Sequence, residues 1–260
     1  MPELPEVEMV RRYVAQCCKG RIITNPKVWD NGILAGVKAG DLVRSVRGKK
    51  IIGAARHGKQ LFIDLDDGLL TVHLGMTGDL TLLEERERLP PHARITLGFE
   101  DGTRLAYDDP RKFGAIGLAR SIPVFVTEHR LGPDALKISL EEFVERARPS
   151  RRAIKAVILD QHVLAGVGNL YADEALFQAK VHPMAPANML SASDLEEVHA
   201  KVRRALRASI KVSTDFSKLP GDFLLRSRVV GAPCRKGHDS LQALKVGGRT
   251  TIYCPSCQRL

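Results

Sequence analysis

The sequence has no apolar run of the roughly 20 residues that a membrane-spanning helix needs. No charged-then-apolar leader of the secretory kind precedes its first motif. Internal repeats and low-complexity tracts are also missing. There are only five cysteines, an odd number: an adjacent pair, Cys17 and Cys18, and three more near the end of the chain. These absences exclude a membrane protein and a disulfide-stapled secreted domain, and they predict a cytoplasmic protein in a reducing compartment.

Charge is the first positive signal. The 260 residues include 40 Lys and Arg against 30 Asp and Glu, a formal net charge of +10. An excess of this size indicates a polyanionic partner, and nucleic acid is the leading candidate. A generically basic soluble protein is the alternative. The length suggests two domains, and a hydrophobic content of 44% is enough to bury a core.

The opening stretch, Met1-Pro2-Glu3-Leu4-Pro5-Glu6, carries the most specific chemistry. Removal of Met1 would leave Pro2 as a secondary terminal amine, and terminal amines titrate at about 7.7–8.0. Such an amine can attack an electrophilic carbon and form an iminium. Glu3 and Glu6 are at hand as proton donor and acceptor. The alternative is a plain helix start, because Pro5 and nearby carboxylates suit a first helical turn.

The periodicity changes twice along the chain. Apolar residues at helical spacing predict a helix over 6–19, ended by Gly20. Residues 21–120 contain short β-rich runs separated by Asp-Gly turns, which predict an antiparallel sandwich or barrel. After a linker at 122–138, the pattern becomes helical, with candidate helices at 140–148, 151–161, 169–180 and 194–213.

The strongest local motif is Cys234-x3-His238-x15-Cys254-x2-Cys257. Two close pairs separated by a hairpin-length insert supply four nitrogen and sulfur ligands for one structural, tetrahedral zinc ion. The insert places Arg249 after a Gly-Gly turn. A reduced cysteine pair with an unrelated histidine is the alternative.

Other candidates come with ordinary alternatives. Asn169 follows a Gly-rich turn as a predicted N-cap, where a helix end can bind a DNA phosphate; a simple capped hairpin is the alternative. Met76 and Phe113 have the character of wedges that enter a base stack, and Arg111 could read base edges, although core packing is commoner. Lys59 is a further cation, and surface lysines are common.

Five stretches resemble, in this order along the chain, motifs of the bacterial formamidopyrimidine-DNA glycosylase family, which is related to endonuclease VIII. They are residues 1–8, 73–78, 109–114 and 165–174 and the Cys/His motif. The opening residues look like the formamidopyrimidine branch. The resemblance implies an α+β fold with DNA in a cleft. Its parts would be an N-terminal antiparallel β-sandwich with a leading helix (1–125), a helix–two-turn–helix domain (126–222) and a zinc-finger hairpin (223–260).

The resemblance also implies roles for single residues. Pro2 would attack C1′ of the damaged nucleoside, Glu3 would protonate the sugar as the base leaves, and Glu6 would support them. The remaining implied or predicted contacts to DNA are the phosphate-gripping Lys59, Asn169 and Arg249, the gap-filling Met76, Arg111 and Phe113, and Lys155 and Tyr171. Lys59 is also predicted to belong to the catalytic residues, with Pro2, Glu3 and Glu6. Arg111 would face the orphaned base. A nucleoid-associated monomer is expected.

The implied activity is bifunctional. A base inside a duplex must be flipped out at a cost of a few kcal/mol, and the sequence offers candidate wedges and clamps. The function expected is a DNA glycosylase and AP lyase for 8-oxoguanine and formamidopyrimidines in base excision repair, cutting by β,δ-elimination. The alternatives are an oxidised-pyrimidine glycosylase of the endonuclease VIII type and a non-catalytic DNA-structure-binding protein.

Two departures from the family pattern stand out. The first metal pair is Cys-x3-His where the family's usual pattern is Cys-x2-Cys, and this difference bears on the tilt of the hairpin. Residues 214–225, where family members cap a flipped purine, have no clear match.

Overall fold

The computed structural model describes all 260 residues, which form two compact units. One unit comprises Met1–Pro2 and Glu6–His129, and the other comprises Glu3–Pro5 and Arg130–Leu260. None of the helices combines the length and apolar character that a membrane crossing requires. The three-domain division at 125/126 and 222/223 stays a prediction.

The first unit contains two four-stranded antiparallel sheets and three helices. Its elements in chain order are α1 (Leu4–Cys18, whose first residues belong to the second unit), β1 (Ile23–Val28), α2 (Ala39–Val46), β2 (Ile51–His57), β3 (Gln60–Leu65), β4 (Leu69–His73), β5 (Asp79–Leu83), β6 (Ala93–Phe99), β7 (Arg104–Asp108), β8 (Ala115–Ala119) and α3 (Ile122–Glu128).

The strand orders are β1-β6-β7-β5 and β2-β3-β4-β8. Both sheets contribute to one core, with Ile95 and Leu97 from the first and Leu61, Ile63 and Val72 from the second. Alternating apolar residues face this core because successive strand side chains point to opposite faces. The structure confirms the predicted leading helix and antiparallel sheets.

Two helices lie where the sequence analysis placed none. Helix α2 interrupts the region expected to be strands and buries Leu42 and Val46. Helix α3 occupies the first part of the predicted linker, so that prediction was wrong for residues 122–128. The Ser121 hydroxyl accepts a hydrogen bond from the Val124 N–H, and Pro123 lies in the first turn. Both features favour a helix start.

The second unit is helical and ends in a hairpin. Its elements are α4 (Leu140–Ala147), α5 (Ile154–Leu159), α6 (Asn169–Ala179), α7 (Ala192–Lys211), β9 (Gln242–Val246) and β10 (Arg249–Tyr253). The four predicted helices are therefore present, although α5 is shorter than expected. Helices α6 and α7 pack together, and the Tyr171 hydroxyl lies 2.6 Å from Ser209 Oγ in their interface. A separate apolar cluster contains Phe177, Leu224 and Ile252.

Candidate functional site

The N-terminus of α6 holds a carboxylate from the start of the chain. The N–H groups of Gly168, Leu170 and Tyr171 donate to the Glu3 carboxylate at 2.6, 2.9 and 3.4 Å. Glu3 is only 2% exposed. Gly168 is the N-cap and has no side chain of its own to cap the helix, so the prediction of Asn169 as N-cap was wrong and the Glu3 carboxylate takes that role. Glu3 occupies the anion position that the sequence analysis assigned to a DNA phosphate.

Glycine is required beside this carboxylate. A Cβ atom on Gly168 would lie 2.3 Å from Glu3 Cδ, a distance that real Cβ contacts essentially never show. The Leu4 N–H also donates to the Gly166 carbonyl at 3.0 Å. The Gly-rich turn therefore closes directly on the residues that follow Pro2 and fixes their position.

A buried ionic network stands behind α6. Lys155 has no exposed surface, and its Nζ lies 2.6 Å from Asp173 Oδ1. The same Nζ donates to Asn169 Oδ1 and to Thr251 Oγ1, both at 2.7 Å. Burial lowers the pKa of Lys155, while the neighbouring Asp173 opposes that shift. Arg228 lies 2.5 Å from the other oxygen of Asp173. The buried Lys155 and Asp173 need these partners, because an unpaired charge in the interior destabilises the folded state.

The network connects α6 to the hairpin. Asn169 is half-buried; it accepts from Lys155 and donates through Nδ2 to the Thr250 carbonyl at 2.9 Å. Arg249, the first residue of β10, is exposed and follows Gly248 at φ +73°. Lys155 and Tyr171 are fully buried, so their side chains cannot touch DNA in this arrangement. A part in DNA binding for either residue stays a prediction, and in this arrangement it would have to be indirect.

The remaining residues of the opening motif lie around the start of α1. Pro2 is half-buried, whereas Met1 is exposed. Glu6 is a half-buried acid in the first turn of α1. The opening stretch is thus a helix start, as the alternative to a catalytic role predicted. In addition, its Glu3 side chain is hydrogen-bonded to the N-terminus of α6.

Three motif-bearing turns leave the same end of the sheets in the first unit. His73 pairs with Gln60 on one side and Ala115 on the other, and Asp79 pairs with Asp108. These pairings place three turns at that end: the turn with Lys59, the turn with Met76 and the turn formed by residues 109–114. Burial lowers the pKa of His73, and the charge of Lys59 adds to that shift.

Asp109 holds two of these turns together. It is fully buried, and its carboxylate accepts from Thr77 Oγ1 at 2.8 Å, from the Gly114 N–H at 2.8 Å and from the Arg111 N–H at 3.3 Å. A Cβ on Gly75 would lie 2.4 Å from Gly114 N, so the two loops are in close backbone contact.

The predicted wedges lie on the surface. Met76 is 39% exposed and Phe113 is 56% exposed, and the Arg111 guanidinium lies 4.8 Å from the centre of the Phe113 ring. Core packing, the alternative considered for these side chains, is therefore wrong. Both apolar side chains are therefore accessible to a partner.

The hairpin end brings thiols together. The sulfur atoms of Cys234, Cys254 and Cys257 all lie within 4.8 Å of one another. His238 Nδ1 lies 2.9 Å from the Cys257 sulfur, but His238 is outside that three-residue group. Three clustered thiols form a plausible metal site.

Comparisons with known proteins agree with this geometry. Residues 1–116 match the family described as the formamidopyrimidine-DNA glycosylase N-terminal domain, and residues 131–220 match the formamidopyrimidine-DNA glycosylase H2TH domain. The formamidopyrimidine-DNA glycosylase of Acidithiobacillus ferrooxidans is 34% identical over the full length of both chains. The chain belongs to the formamidopyrimidine-DNA glycosylase family.

Further members of the formamidopyrimidine-DNA glycosylase family give the same result. The Bacillus subtilis enzyme is 35% identical, with 99% of each chain covered. A crystal structure of the Lactococcus lactis protein with formamidopyrimidine-containing DNA superposes with a TM-score of 0.90 at 30% identity, covering 99% of this chain and 100% of that one. A second Lactococcus lactis complex contains abasic-site DNA and also has a TM-score of 0.90, at 30% identity and the same coverage.

Several supporting residues of this formamidopyrimidine-DNA glycosylase family member were not predicted from the sequence. They are Asp109, Asp173 and Glu174. The latter two lie on an apolar helix that packs into the core, and acids buried in such a position need hydrogen-bonding or charged partners. Burial raises the pKa of Glu174 to about 7, although hydrogen bonds from Gln178 and Leu225 oppose the shift.

Proposed function

We propose that the protein is a bifunctional DNA glycosylase and AP lyase that removes oxidised purines from duplex DNA in base excision repair. The substrates are 8-oxoguanine and formamidopyrimidines. The observation that carries the proposal is the Glu3 carboxylate, buried and bonded to the N-terminus of α6, immediately after Pro2 in a member of this family. Support comes from related structures, which hold formamidopyrimidine-containing DNA or carbocyclic 8-oxoguanine DNA.

The first half of the reaction uses the Pro2 amine. Once Met1 is removed, the Pro2 nitrogen donates its lone pair to C1′ of the lesion nucleotide. The bond from C1′ to the base breaks, and the base leaves with that electron pair and takes up the proton that the Pro2 nitrogen gives up. Glu3 is the proton donor to the sugar as the ring opens. The product is an iminium between Pro2 and C1′.

The second half follows from that iminium. Its positive charge makes a C2′ proton acidic, and loss of this proton drives β-elimination of the 3′ phosphate. A second elimination releases the 5′ phosphate, and water then hydrolyses the remaining iminium, which frees the sugar remnant and the Pro2 amine together. One amine thus accounts for both base removal and strand cleavage, with Glu6 as a supporting carboxylate.

The DNA contacts are part of the same proposal. Lys59, Asn169 and Arg249 bind phosphates around the lesion, and Met76, Arg111 and Phe113 fill the gap left by the flipped nucleotide. The exposure of Met76 and Phe113 supports this assignment. Lys155 and Tyr171 act indirectly, Lys155 by holding the Asn169 amide. We further infer a monomer that works on the nucleoid in the cytoplasm, in keeping with its free cysteines.

The substrate class is tested by excision. Duplexes carrying 8-oxoguanine and oxidised thymine are compared under single-turnover conditions with the Met-trimmed protein and its Pro2→Gly variant. We expect faster removal of 8-oxoguanine, and severe loss of cleavage in Pro2→Gly with DNA affinity largely kept. Faster removal of oxidised thymine would favour the pyrimidine alternative. Equal loss of cleavage and affinity would contradict the role of Pro2.

We also propose that the clustered thiols and His238 bind one structural zinc ion. The Cys234 and Cys257 sulfurs lie 3.6 Å apart, close to the ~3.8 Å edge of a tetrahedron with Zn–S bonds of about 2.3 Å. Bound zinc would tie β9 and β10 to the preceding loop. Metal analysis should give one zinc per chain and a weaker site in His238→Ala. A variant with unchanged zinc affinity would remove His238 from the ligand set.

A further inference from the structure

The loop formed by residues 109–114, here called the wedge loop, has a second attachment besides Asp109. Lys112 lies between Arg111 and Phe113, and its Nζ is 2.7 Å from Asp30 Oδ2. Lys112 has φ +54°, in the left-handed region that residues with a Cβ rarely adopt. A backbone of this kind persists where surrounding contacts hold it, so the partner of the Lys112 side chain matters.

Asp30 is well placed to provide such a hold. Its side chain is only 19% exposed and accepts from the Gly32 N–H at 2.9 Å. The same carboxylate lies 3.3 Å from a guanidinium nitrogen of Arg94. The Lys112 ammonium, together with the Gly32 N–H, lowers the pKa of Asp30. Contacts with Gly32 and Arg94 therefore fix the Asp30 carboxylate independently of Lys112.

Arg94 extends the attachment to the other end of the wedge loop. Its Nε donates to the Asp109 carbonyl at 2.9 Å, and its own carbonyl accepts from the Trp29 N–H at 2.8 Å. Asp30 thus contacts the wedge loop directly through Lys112 and indirectly through Arg94. An isolated surface ion pair contributes little to stability. A half-buried carboxylate that several donors hold has a well-defined position, so it can position the loop.

We propose that Asp30 is a positioning residue that holds Lys112 and thereby sets Arg111 and Phe113 in their inserting geometry before DNA binds. The inference rests on the proposed function, in which these two side chains enter the base stack. A preformed wedge avoids the entropic cost of ordering the loop during insertion. Asp30 acts on nucleotide flipping and leaves the Pro2 chemistry untouched.

The test measures insertion without chemistry. A duplex carries a tetrahydrofuran abasic analogue and a neighbouring 2-aminopurine, whose fluorescence rises when wedge insertion unstacks it. In stopped-flow mixing we expect Asp30→Asn to slow this rise about fivefold, within the range of coupling between contacting groups, and Asp30→Glu to restore part of it. Cleavage of a preformed abasic site in single-stranded DNA should be unchanged, because it needs no wedge.

A matched control and a double variant complete the design. Asp41→Asn removes an equivalent acid from an exposed pair with Arg44 on α2, and it should behave as wild type. Lys112→Met should slow insertion, and Asp30→Asn should add nothing to it. The fluorescence emission of Trp29, the single tryptophan, reports on the end of β1. It should be the same in DNA-free wild type and DNA-free Asp30→Asn if that strand end is intact.

Each outcome separates the two claims. An Asp30→Asn variant that inserts at the wild-type rate would overturn the inference, and so would additive effects of the Asp30 and Lys112 changes or an equal slowing by Asp41→Asn. A wild-type protein that unstacks no 2-aminopurine would instead contradict the wedge role in the proposed function.

Discussion

Replacement of Gly168 by alanine is the sharpest test of how the site is built. The new Cβ would lie 2.3 Å from Glu3 Cδ and 2.6 Å from Glu3 Oε1, whereas ordinary contact begins at 3.4 Å. The backbone itself tolerates alanine, because φ is −127°. The Glu3 carboxylate must therefore retreat by about 1 Å, and a misplacement of that size can cost about 100-fold in rate.

The assay is single-turnover excision from a lesion duplex, with the enzyme in excess over DNA. We expect Gly168→Ala to lose about 100-fold in rate, while its affinity for DNA with an abasic analogue changes little. Gly40→Ala is the matched control, because Gly40 is exposed on α2 and a Cβ there would meet only the Arg44 guanidinium, at an ordinary contact distance of 3.6 Å. A Gly168→Ala rate within a few-fold of the control would refute the claim that the α6 N-terminus positions Glu3 for catalysis.

Two further predictions concern charge. Arg249→Ala should weaken DNA binding and reduce the slope of log affinity against log salt by about 0.9, as expected for one phosphate contact; Arg259→Ala, an equal change in net charge, should leave the slope nearly unchanged. The raised pKa of Glu174, about 7 against an ordinary value of 4.5, means that the folded state keeps a proton that the unfolded state loses between these values. The free energy of unfolding should therefore fall as pH rises from 4.5 to 7, by about 3 kcal/mol from this group. Glu174→Gln should remove that slope in urea titrations, and the exposed-acid control Glu145→Gln should keep it.

Much of the fold followed from local sequence. Short β-rich runs marked β3 and β4, and stretches with a helical pattern marked α1, α6 and α7. Asp-Gly turns gave the hairpins their ends, since Gly68 and Gly102 both adopt φ +83°. Helix α3 was missed because its signals, Ser121 as a cap and Pro123 in the first turn, also occur in linkers.

The site was less accessible from sequence because its decisive contacts are long-range. Asn169 has the residue type of an N-cap, but the donors of its helix bond to Glu3, which lies 165 residues before Gly168 in the chain. Lys155 has the charge expected of a DNA contact, yet Asp173 and Thr251 hold it in the interior. Local pattern identifies candidate side chains, but tertiary packing decides which of them reach the surface.

The central claim is that the free amine of Pro2 bonds covalently to the lesion sugar, and borohydride trapping tests it most directly. The Met-trimmed protein is mixed with 8-oxoguanine duplex and sodium borohydride, and the adduct is digested and mapped by mass spectrometry. The account predicts a reduced sugar attached to the nitrogen of Pro2 and no adduct when Met1 is retained. An adduct on another residue, or full activity from protein that keeps Met1, would contradict it.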